Sequence, residues 1–334
     1  MKLFHLSDLH LGKRLNEYSL KDDQAHILRQ ILRMVDDESP DAILISGDVY
    51  DKTMPPVEAV SLFDDFLWEL SQRHVPVLII SGNHDSPERL AFGSRIMEHS
   101  QVYISRSYQV GAPPVVLEDE HGPVRFHLLP FVKPSMVKRI TGTDENGNNL
   151  SYDAALHALV ARETIDQTQR NVLVSHQFYL STGGSADDVT RSDSEIITVG
   201  NIDSINGDIL EKFDYAALGH IHKPQRLNGK DCFRYCGTPL ACSISEAGQE
   251  KGIIEVELGA KGELTTTVLP LVPLHAVRKI KDTLEHILAA PSMDYVSITL
   301  TDEEDLDVFD MQDRLNAAFP NLLEIRRAVQ KVVN

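Results

Sequence analysis

Cysteine is scarce in this chain, and long apolar runs are missing from it. Three cysteines, an odd number, make a disulfide framework improbable. We interpret Cys232, Cys236 and Cys242 as packing residues, because no second ligand pair lies nearby in sequence to complete a zinc site. No apolar stretch approaches the roughly 20 residues of a membrane span. A charged segment followed by a long apolar run is also missing at the start, so we expect a cytoplasmic protein.

Positive charge is in deficit as well. The formal net charge is -18, from 50 acidic and 32 basic side chains. Such a balance ordinarily argues against nucleic acid, because phosphate binding relies on a basic surface. The objection weakens where carboxylates serve as metal ligands, since divalent cations offset their charge. We therefore expect this chain alone to bind long DNA weakly.

Five apolar runs are each followed by polar side chains that commonly bind metals. The runs are KLFHL, AILI, VPVLII, NVLV and YAAL. Buried parallel strands have this appearance, and α/β folds place ligands at the carboxyl ends of such strands. The polar residues that follow are Asp8, His10, Asp48, Asn83, His84, Asp85, His176, His220 and His222. This inventory suits a pair of divalent metal ions better than any other cofactor.

The rest of the pattern predicts a layered α/β fold. Strand-like runs alternate with helix-like stretches, which indicates a parallel sheet with crossover helices. The helix-like stretches are 24–38, 57–72, 87–99 and 152–167. After His222, the segments 233–238, 252–258 and 265–271 predict a second, more antiparallel sheet. Two sheets packed face to face with helices outside would give a four-layer α/β/β/α sandwich.

A proline-bounded linker at 270–273 divides the chain into two predicted domains, 1–272 and 273–334. The second domain is a small α/β module, with strands at 275–280, 295–300 and 321–327 and helices at 282–289 and 305–318. The acidic run at 302–305 is interpreted as a solvated helix start. Two loops are predicted at 141–149 and 181–194, and the second follows His176 closely enough to line the site.

The residue types also indicate a chemistry. Alternation along a strand would send Asp8 and His10 to the same side, where both reach one ion. The Asp48 carboxylate has two oxygens and can bridge two ions, which together clamp a phosphoryl group. His84 would protonate the leaving oxygen or stabilise charge on the phosphate, and Asp85 would hold the imidazole of His84 in orientation.

Together the five motifs resemble the calcineurin-like metallophosphoesterase superfamily, whose pattern is D-x-H, G-D, G-N-H-D/E, H and G-H-x-H. The segments HLSDLHLGKRL, GDVYDKTMPP, SGNHDSPERL, ALGHIHKPQ and YCGTPLACSISEAGQEKG look like one branch of it, the nuclease subunits of SbcCD-type complexes. The resemblance implies one metal held by Asp8, His10, Asp48 and His222, and another held by Asp48, Asn83, His176 and His220. It also implies that His84 is the catalytic histidine.

The same resemblance implies an activity and partners. It implies manganese, cleavage of DNA phosphodiesters as a 3′-to-5′ exonuclease and as an endonuclease at hairpins, and SbcC, a coiled-coil ATPase, as partner. It implies that the C-terminal module is a capping domain that contacts DNA. Asp51 stands where some archaeal relatives have a second histidine, so a role of that position in orienting DNA does not carry over directly.

Surface contacts are less sharply indicated. The resemblance implies a homodimer, with Leu90, Phe92, Ile96 and Met97 as candidates for an apolar dimer face, although ordinary core packing fits each of them equally well. Candidates for DNA contact are Lys13, Arg14, Lys133, Lys138, Arg139, Arg326 and Arg327. The basic cluster at 133–139 is predicted to lie in a loop, and a solvated face is the competing interpretation for each of these side chains.

Three functions remain open at this point: a manganese-dependent DNA nuclease subunit, a phosphoesterase for small molecules or proteins on the same fold, and a non-catalytic interaction module. The intact ligand set speaks against the third. The C-terminal module and the YCGTP…SISEAGQEKG stretch favour the first over the second.

Overall fold

A computed structural model describes residues 1–181, 183–184, 189, 192, 195, 203–302 and 308–328. The helices are α1 Lys21–Glu38, α2 Val57–Gln72, α3 Pro87–Leu90, α4 Ser94–Met97, α5 Pro134–Thr141, α6 Tyr152–Val160, α7 Leu284–Leu288 and α8 Val308–Ala318. The strands are β1 Lys2–Leu6, β2 Arg14–Leu15, β3 Tyr18–Ser19, β4 Ala42–Ser46, β5 Val77–Ile80, β6 Val102–Ile104, β7 Val115–Asp119, β8 Gly122–Leu129, β9 Arg170–His176, β10 Phe178–Leu180, β11 Ser204–Asn206, β12 Tyr215–Gly219, β13 Gln225–Arg226, β14 Phe233–Tyr235, β15 Lys251–Leu258, β16 Leu264–Leu271, β17 Val277–Asp282, β18 Tyr295–Leu300 and β19 Leu322–Arg327.

The first six-stranded sheet has the order β16-β15-β1-β4-β5-β6. Strands β1, β4, β5 and β6 run parallel to one another, and β15 adds antiparallel to the open edge of β1. The apolar runs of β1, β4 and β5 are buried on both faces, as parallel strands covered on two sides must be.

The second six-stranded sheet has the order β13-β14-β12-β9-β8-β7. Its centre is parallel, and only its edge strands β7 and β13 pair antiparallel within the described residues. The prediction that 233–238, 252–258 and 265–271 together form a second, more antiparallel sheet is therefore wrong. Strand β14 lies parallel to β12 in the second sheet, whereas β15 and β16 extend the first. The alternation of apolar and polar residues predicts which side chains of a strand are buried. It does not predict which strand lies next to it in a sheet.

The two sheets share an apolar core. Leu44 and Ile80 of the first sheet belong to one buried cluster with Phe126, Val174 and Ala217 of the second. On its other face the first sheet packs against α1 and α2 in a separate cluster, and the second sheet packs against α6 in a third. Every central strand is thus covered on both sides.

The helices agree with the predicted stretches at 24–38 and 57–72 and differ elsewhere. The stretch at 87–99 contains two short helices, α3 and α4, followed by a 3-10 turn, because Gly93 lies between them with φ of +75°. Helix α6 begins at the cap of Ser151, whose Oγ accepts from the Ala154 amide, and ends well before residue 167.

The C-terminal elements form a small parallel sheet in the order β17-β18-β19 with its own buried cluster beneath α7 and α8. Asp302 accepts from the amide of Leu284, so it caps α7, and residues 303–305 of the predicted acidic helix start lie outside the described residues. This sheet contacts the body through Asp23 of α1, which accepts from the amide of His275 and from the hydroxyl of Tyr295. Among the described residues, no helix has the length and apolarity that a membrane crossing requires.

Candidate metal centre

The carboxyl ends of five strands meet at one rim. Strands β1, β4 and β5 come from the first sheet, and β9 and β12 come from the second. Side chains that could bind a metal follow or end each of them. The structure shows the five loops converging, as the sequence predicts. The loops come from two sheets, however, and not from one.

The backbone of these loops is irregular. Asp8, His10, Asp48 and His220 all have positive φ, at 52°, 43°, 48° and 96°. Left-handed backbone is costly for residues other than glycine and clusters at functional sites. The idea that strand alternation brings Asp8 and His10 together is therefore wrong, because β1 ends at Leu6 and both residues lie in the loop beyond it.

The first half of the centre contains Asp8, His10 and His222. Their ligand atoms lie within 4.8 Å of one another, and all three side chains are buried. The Nε2 atoms of His10 and His222 are 3.1 Å apart. Two imidazole nitrogens turned toward each other in this way are placed as neighbouring ligands of one ion would be.

The second half is assembled around Asn83. Its side-chain oxygen lies 2.9 Å from Nε2 of His176 and 3.0 Å from Nδ1 of His220. Asp48 stands between the two halves, since its Oδ2 is 3.4 Å from Nε2 of His176 and 3.7 Å from Nε2 of His10. Nitrogen and oxygen donors in this mixture suit divalent ions such as manganese, iron, zinc or magnesium.

Charge and burial at the centre fit bound cations. Burial holds the pKa of His10 well below its ordinary value, so its imidazole is neutral and offers a lone pair. Burial also opposes protonation of His176, but the Asp48 carboxylate outweighs it and raises the pKa of His176 to about 9. A buried carboxylate that keeps a neighbouring imidazole protonated in this way lacks a positive partner of its own, and a metal ion would supply one. The donor set therefore fits two divalent cations.

Further groups hold the imidazoles of His176 and His222, and the backbone of His10, from behind. The Nδ1 of His176 donates to the main-chain carbonyl of Ser46 at 2.7 Å, and Glu246 lies 3.4 Å from Nδ1 of His222. The backbone carbonyl of His10 accepts from the side chain of Gln24 at 2.7 Å. Partners of this kind fix the tautomer and the orientation of metal-binding histidines.

His84 and Asp85 differ from their predicted partnership. The Nδ1 of His84 lies 2.8 Å from the carbonyl oxygen of Asp51, so a main-chain oxygen orients this ring. Asp85 instead accepts hydrogen bonds from the amides of Val49, Tyr50 and Gly82 at 3.1, 2.9 and 2.9 Å. The expectation that Asp85 orients His84 is wrong, and the carboxylate of Asp85 ties two loops of the centre together.

Two glycines allow the loops to approach this closely. A Cβ atom on Gly47 would lie 2.4 Å from Nδ1 of His176, and one on Gly82 would lie 2.1 Å from Oδ1 of Asp48. Gly47 also has φ of +87°. Any side chain at either position would displace a residue of the centre.

The candidate DNA contacts lie in several places. Lys13 borders the centre and forms an ion pair with Asp51 at 2.9 Å, and Arg14 donates to the carbonyl of Glu17. The remaining candidates are exposed: Lys133, Lys138, Arg139, Arg326 and Arg327. The prediction of a loop at 133–139 is wrong, because Pro134 opens helix α5 and places Lys138 and Arg139 in its last turn.

The candidate dimer residues divide between surface and core. Phe92 and Ile96 are 85% and 76% exposed. Leu90 is buried in the core beside the first sheet, and Met97 is half-buried against the same cluster, so Leu90 does not form part of an exposed face. The three cysteines are free, with Cys236 and Cys242 buried, as expected of packing residues.

Sequence reasoning missed the residues that support the ligands from behind. Glu246, Glu195 and Asp51 belong to this group, and Phe131 stacks on His220 with ring centroids 6.4 Å apart. Glu246 and Asp51 do lie within two of the quoted segments, SISEAGQEKG and GDVYDKTMPP, which is the one signal that pointed to them. Most of the predicted loop at 181–194 lies outside the described residues.

Comparison with known proteins agrees with this geometry. Residues 1–224 match the family described as calcineurin-like phosphoesterase. The chain belongs to this family, whose members are metal-dependent phosphoester hydrolases, and it has the α/β fold of the family with two mixed sheets and a small C-terminal sheet.

A particular relative is similar over nearly the whole length. The SbcD subunit of the nuclease SbcCD from Staphylococcus epidermidis (strain ATCC 12228 / FDA PCI 1200) is 32% identical to this chain. The alignment, 337 residues long with its gaps, covers 98% of this chain and 86% of that protein. The chain is therefore an SbcD homologue. Among solved structures, TT1561 of Thermus thermophilus has a TM-score of 0.44 and 14% identity over 80% of this chain and 98% of that one, a likeness too distant to support any inference.

Proposed function

We propose that this chain is the manganese-dependent nuclease subunit of an SbcCD-type complex. It would hydrolyse DNA phosphodiesters as a 3′-to-5′ double-strand exonuclease and as an endonuclease at hairpins and blocked ends, during end processing and double-strand break repair. The observation that carries the proposal is the convergence of five loops on one buried cluster of carboxylate, amide and imidazole ligands. The similarity to the staphylococcal SbcD along 98% of the chain supports DNA as the substrate and SbcC as the partner.

The residues present would hold two ions. Asp8, His10 and His222 would bind one, Asn83, His176 and His220 the other, and Asp48 would contact both. When bound, the two ions would lower the pKa of a water and stabilise charge on the phosphoryl group. The protein contributes a rigid arrangement, because the carboxylate and imidazole groups are buried and are fixed by hydrogen bonds from behind.

His84 is proposed as the catalytic histidine. Its Nε2 lies 4.0 Å from Oδ2 of Asp48, and its side chain is 19% exposed, more than the imidazoles of His10, His176 and His222. A main-chain carbonyl can only accept, so Nδ1 of His84 carries the hydrogen that it donates to Asp51. In the imidazolium form Nε2 carries the second proton, and this is the proton that we assign to the leaving oxygen of the phosphodiester.

The finer architecture forms part of the proposal. We infer a four-layer α/β/β/α sandwich over residues 1–272, supported by the three clusters that cover both faces of the sheets. Residues 273–334 would be a capping domain, supported by the separate cluster beneath α7 and α8. Exposed Phe92 and Ile96 support an apolar face for a homodimer.

The second candidate, a phosphoesterase for small molecules or proteins, would use the same ions and the same His84. The net charge of -18 is the observation that favours it, since it predicts weak binding of DNA by this chain alone. A non-catalytic role is disfavoured, because a scaffold has no use for strained backbone at four ligand positions.

The deciding experiment is cleavage of an end-labelled hairpin duplex by the purified chain in Mn²⁺, with EDTA as one control. Because His84 is assigned to the leaving oxygen and not to either ion, His84→Ala should abolish cleavage while two Mn²⁺ ions stay bound by elemental analysis. His220→Ala is the matched variant and should lower the Mn²⁺ content itself. Release of nitrophenol from phosphate esters without DNA cleavage, in the presence and in the absence of an SbcC-type partner, would favour the second candidate.

A further inference from the structure

Glu246 has the most heavily bonded carboxylate near the centre. Its side chain is wholly buried. One oxygen, Oε1, lies 3.4 Å from Nδ1 of His222 and accepts from the hydroxyls of Ser192 and Ser243 at 3.0 and 3.2 Å. The other oxygen, Oε2, accepts from the hydroxyl of Thr238 at 2.9 Å. The carboxylate therefore has little freedom to turn.

Lys251 holds the same carboxylate from the far side. Its ammonium group lies 2.7 Å from Oε2 of Glu246 and donates to the hydroxyl of Thr238 at 2.7 Å and to the backbone carbonyl of His222 at 3.1 Å. The Lys251 side chain is 6% exposed. The Lys251 ammonium thus holds two groups in place: the Glu246 carboxylate and the backbone carbonyl of His222.

A buried ion pair is a poor choice if stability alone is at issue. Removing two charges from water costs several kcal/mol per ion, and apolar residues of similar volume are often at least as stabilising. A carboxylate beside a metal-binding imidazole has a different effect when it accepts a hydrogen bond from the ring nitrogen that does not bind the ion. It fixes the tautomer and makes the ligand nitrogen more basic.

The histidines of the centre differ in this respect. His176 and His84 each face a neutral main-chain carbonyl through Nδ1. His222 faces a carboxylate. A charged acceptor stabilises a positively polarised imidazole more strongly than a neutral one does.

We propose that Glu246 is a positioning residue for the metal ion held by Asp8, His10 and His222, and that Lys251 keeps Glu246 in place. The carboxylate accepts the Nδ1 hydrogen of His222, which turns Nε2 toward the ion. The ion on this side is consequently bound more tightly than it would be by a histidine facing a neutral acceptor. The inference rests on the proposed two-metal centre and deepens it.

The test is the binding of Mn²⁺ to the full chain, followed by the electron paramagnetic resonance signal of free Mn²⁺. Glu246→Gln keeps the size of the side chain and removes its charge, and we expect a roughly 10- to 100-fold loss of affinity at one of the two sites. Glu250→Gln is the matched control, since Glu250 is exposed and lies four residues away. It should bind as the wild type does.

A structural role is separated from a positioning role by a second variant. Glu246→Gln alone leaves the buried Lys251 without its carboxylate, so it should also lower the urea midpoint of the metal-free protein. Combining it with Lys251→Gln removes both charges and keeps a donor for the His222 carbonyl, so stability should largely return while the affinity loss remains. If Glu246→Gln does not fold, this double variant carries the test.

The outcomes are distinct. Restored Mn²⁺ affinity in the double variant would show that Glu246 merely neutralises Lys251 and would overturn the inference. Unchanged affinity in Glu246→Gln, beside a wild type that binds two ions, would overturn it while leaving the proposed function intact. A wild-type chain that binds no Mn²⁺ would overturn the proposed centre and the inference together.

Discussion

Asp85 offers the sharpest test of how the metal centre is built. Its carboxylate accepts from three amides, those of Val49, Tyr50 and Gly82, and so joins the loop after β4 to the loop after β5. Asp85→Ala would leave three donors without an acceptor in a largely buried place. Each such donor costs about 1–3 kcal/mol, and taking the lower figure for all three gives a loss of about 3 kcal/mol in the free energy of unfolding.

This loss converts into a measurable shift. Unfolding entropy is about 2.1 cal/mol/K per residue, which for 334 residues is about 0.7 kcal/mol/K, so 3 kcal/mol corresponds to roughly 4 °C in Tm. Asp85→Asn keeps one acceptor oxygen and should lose about half as much. Calorimetry and urea titration of the EDTA-treated protein would measure both, without any contribution from bound metal.

Asp65→Ala serves as the matched control for Asp85→Ala. Asp65 is exposed on α2, and its removal should change the free energy of unfolding by less than about 0.5 kcal/mol. If Asp85→Ala proved as stable as this control, the carboxylate would not be clamping the loops. The assignment of Asp85 to loop structure, and not to the orientation of His84, would then have to be abandoned.

Two further substitutions probe the site and the fold. Gly47→Ala should lower the Mn²⁺ content, because the new Cβ would lie 2.4 Å from the ring of His176. Gly111→Ala is the matched control, since Gly111 also has a positive φ but lies in open space. It should lower the free energy of unfolding by only about 1 kcal/mol and leave Mn²⁺ bound. Arg170→Met should lower the free energy of unfolding by about 1–3 kcal/mol, since it leaves the carbonyls of Gly122 and Gly259 without this donor and leaves Asp119 only the Met1 ammonium and the His121 amide. Arg170 holds the pKa of Asp119 below its ordinary value, so this contribution is present above about pH 4 and is lost as pH falls further; the acid-unfolding curves of wild type and variant should converge there.

The strands that carry the ligands could be predicted because their sequences are unambiguous. A continuous apolar run such as AILI or YAAL is buried on both faces whatever its neighbours are. The neighbours themselves depend on tertiary packing. This is why β15 and β16 were expected in the second sheet, and why β7 and β8, whose apolar residues are interrupted by polar ones, were not foreseen.

The convergence of these side chains at one rim could likewise be predicted, because their types follow strand ends directly; their role as ligands stays a prediction. The groups behind them could not. Glu246 reaches His222 across 24 residues of sequence, and the amides that Asp85 accepts from lie as far as 36 residues away. A main-chain carbonyl such as that of Asp51 has no sequence signature at all, and so the partner of His84 was assigned wrongly.

The pairing of β1 has a consequence for the order of events during synthesis. This strand leads directly to Asp8 and His10, yet it lies between β4 and a strand that is translated only after residue 250, where His5 pairs with Ile254. Contacts of such long sequence separation form slowly, and the edge of β1 stays open until the emerging chain has supplied β15. The loop that carries Asp8 and His10 is thus fixed from both sides of β1 only after β15 has been translated. Ions bound at this centre would then be chosen from the surroundings of a chain that already contains both six-stranded sheets, and not at the first stage of synthesis.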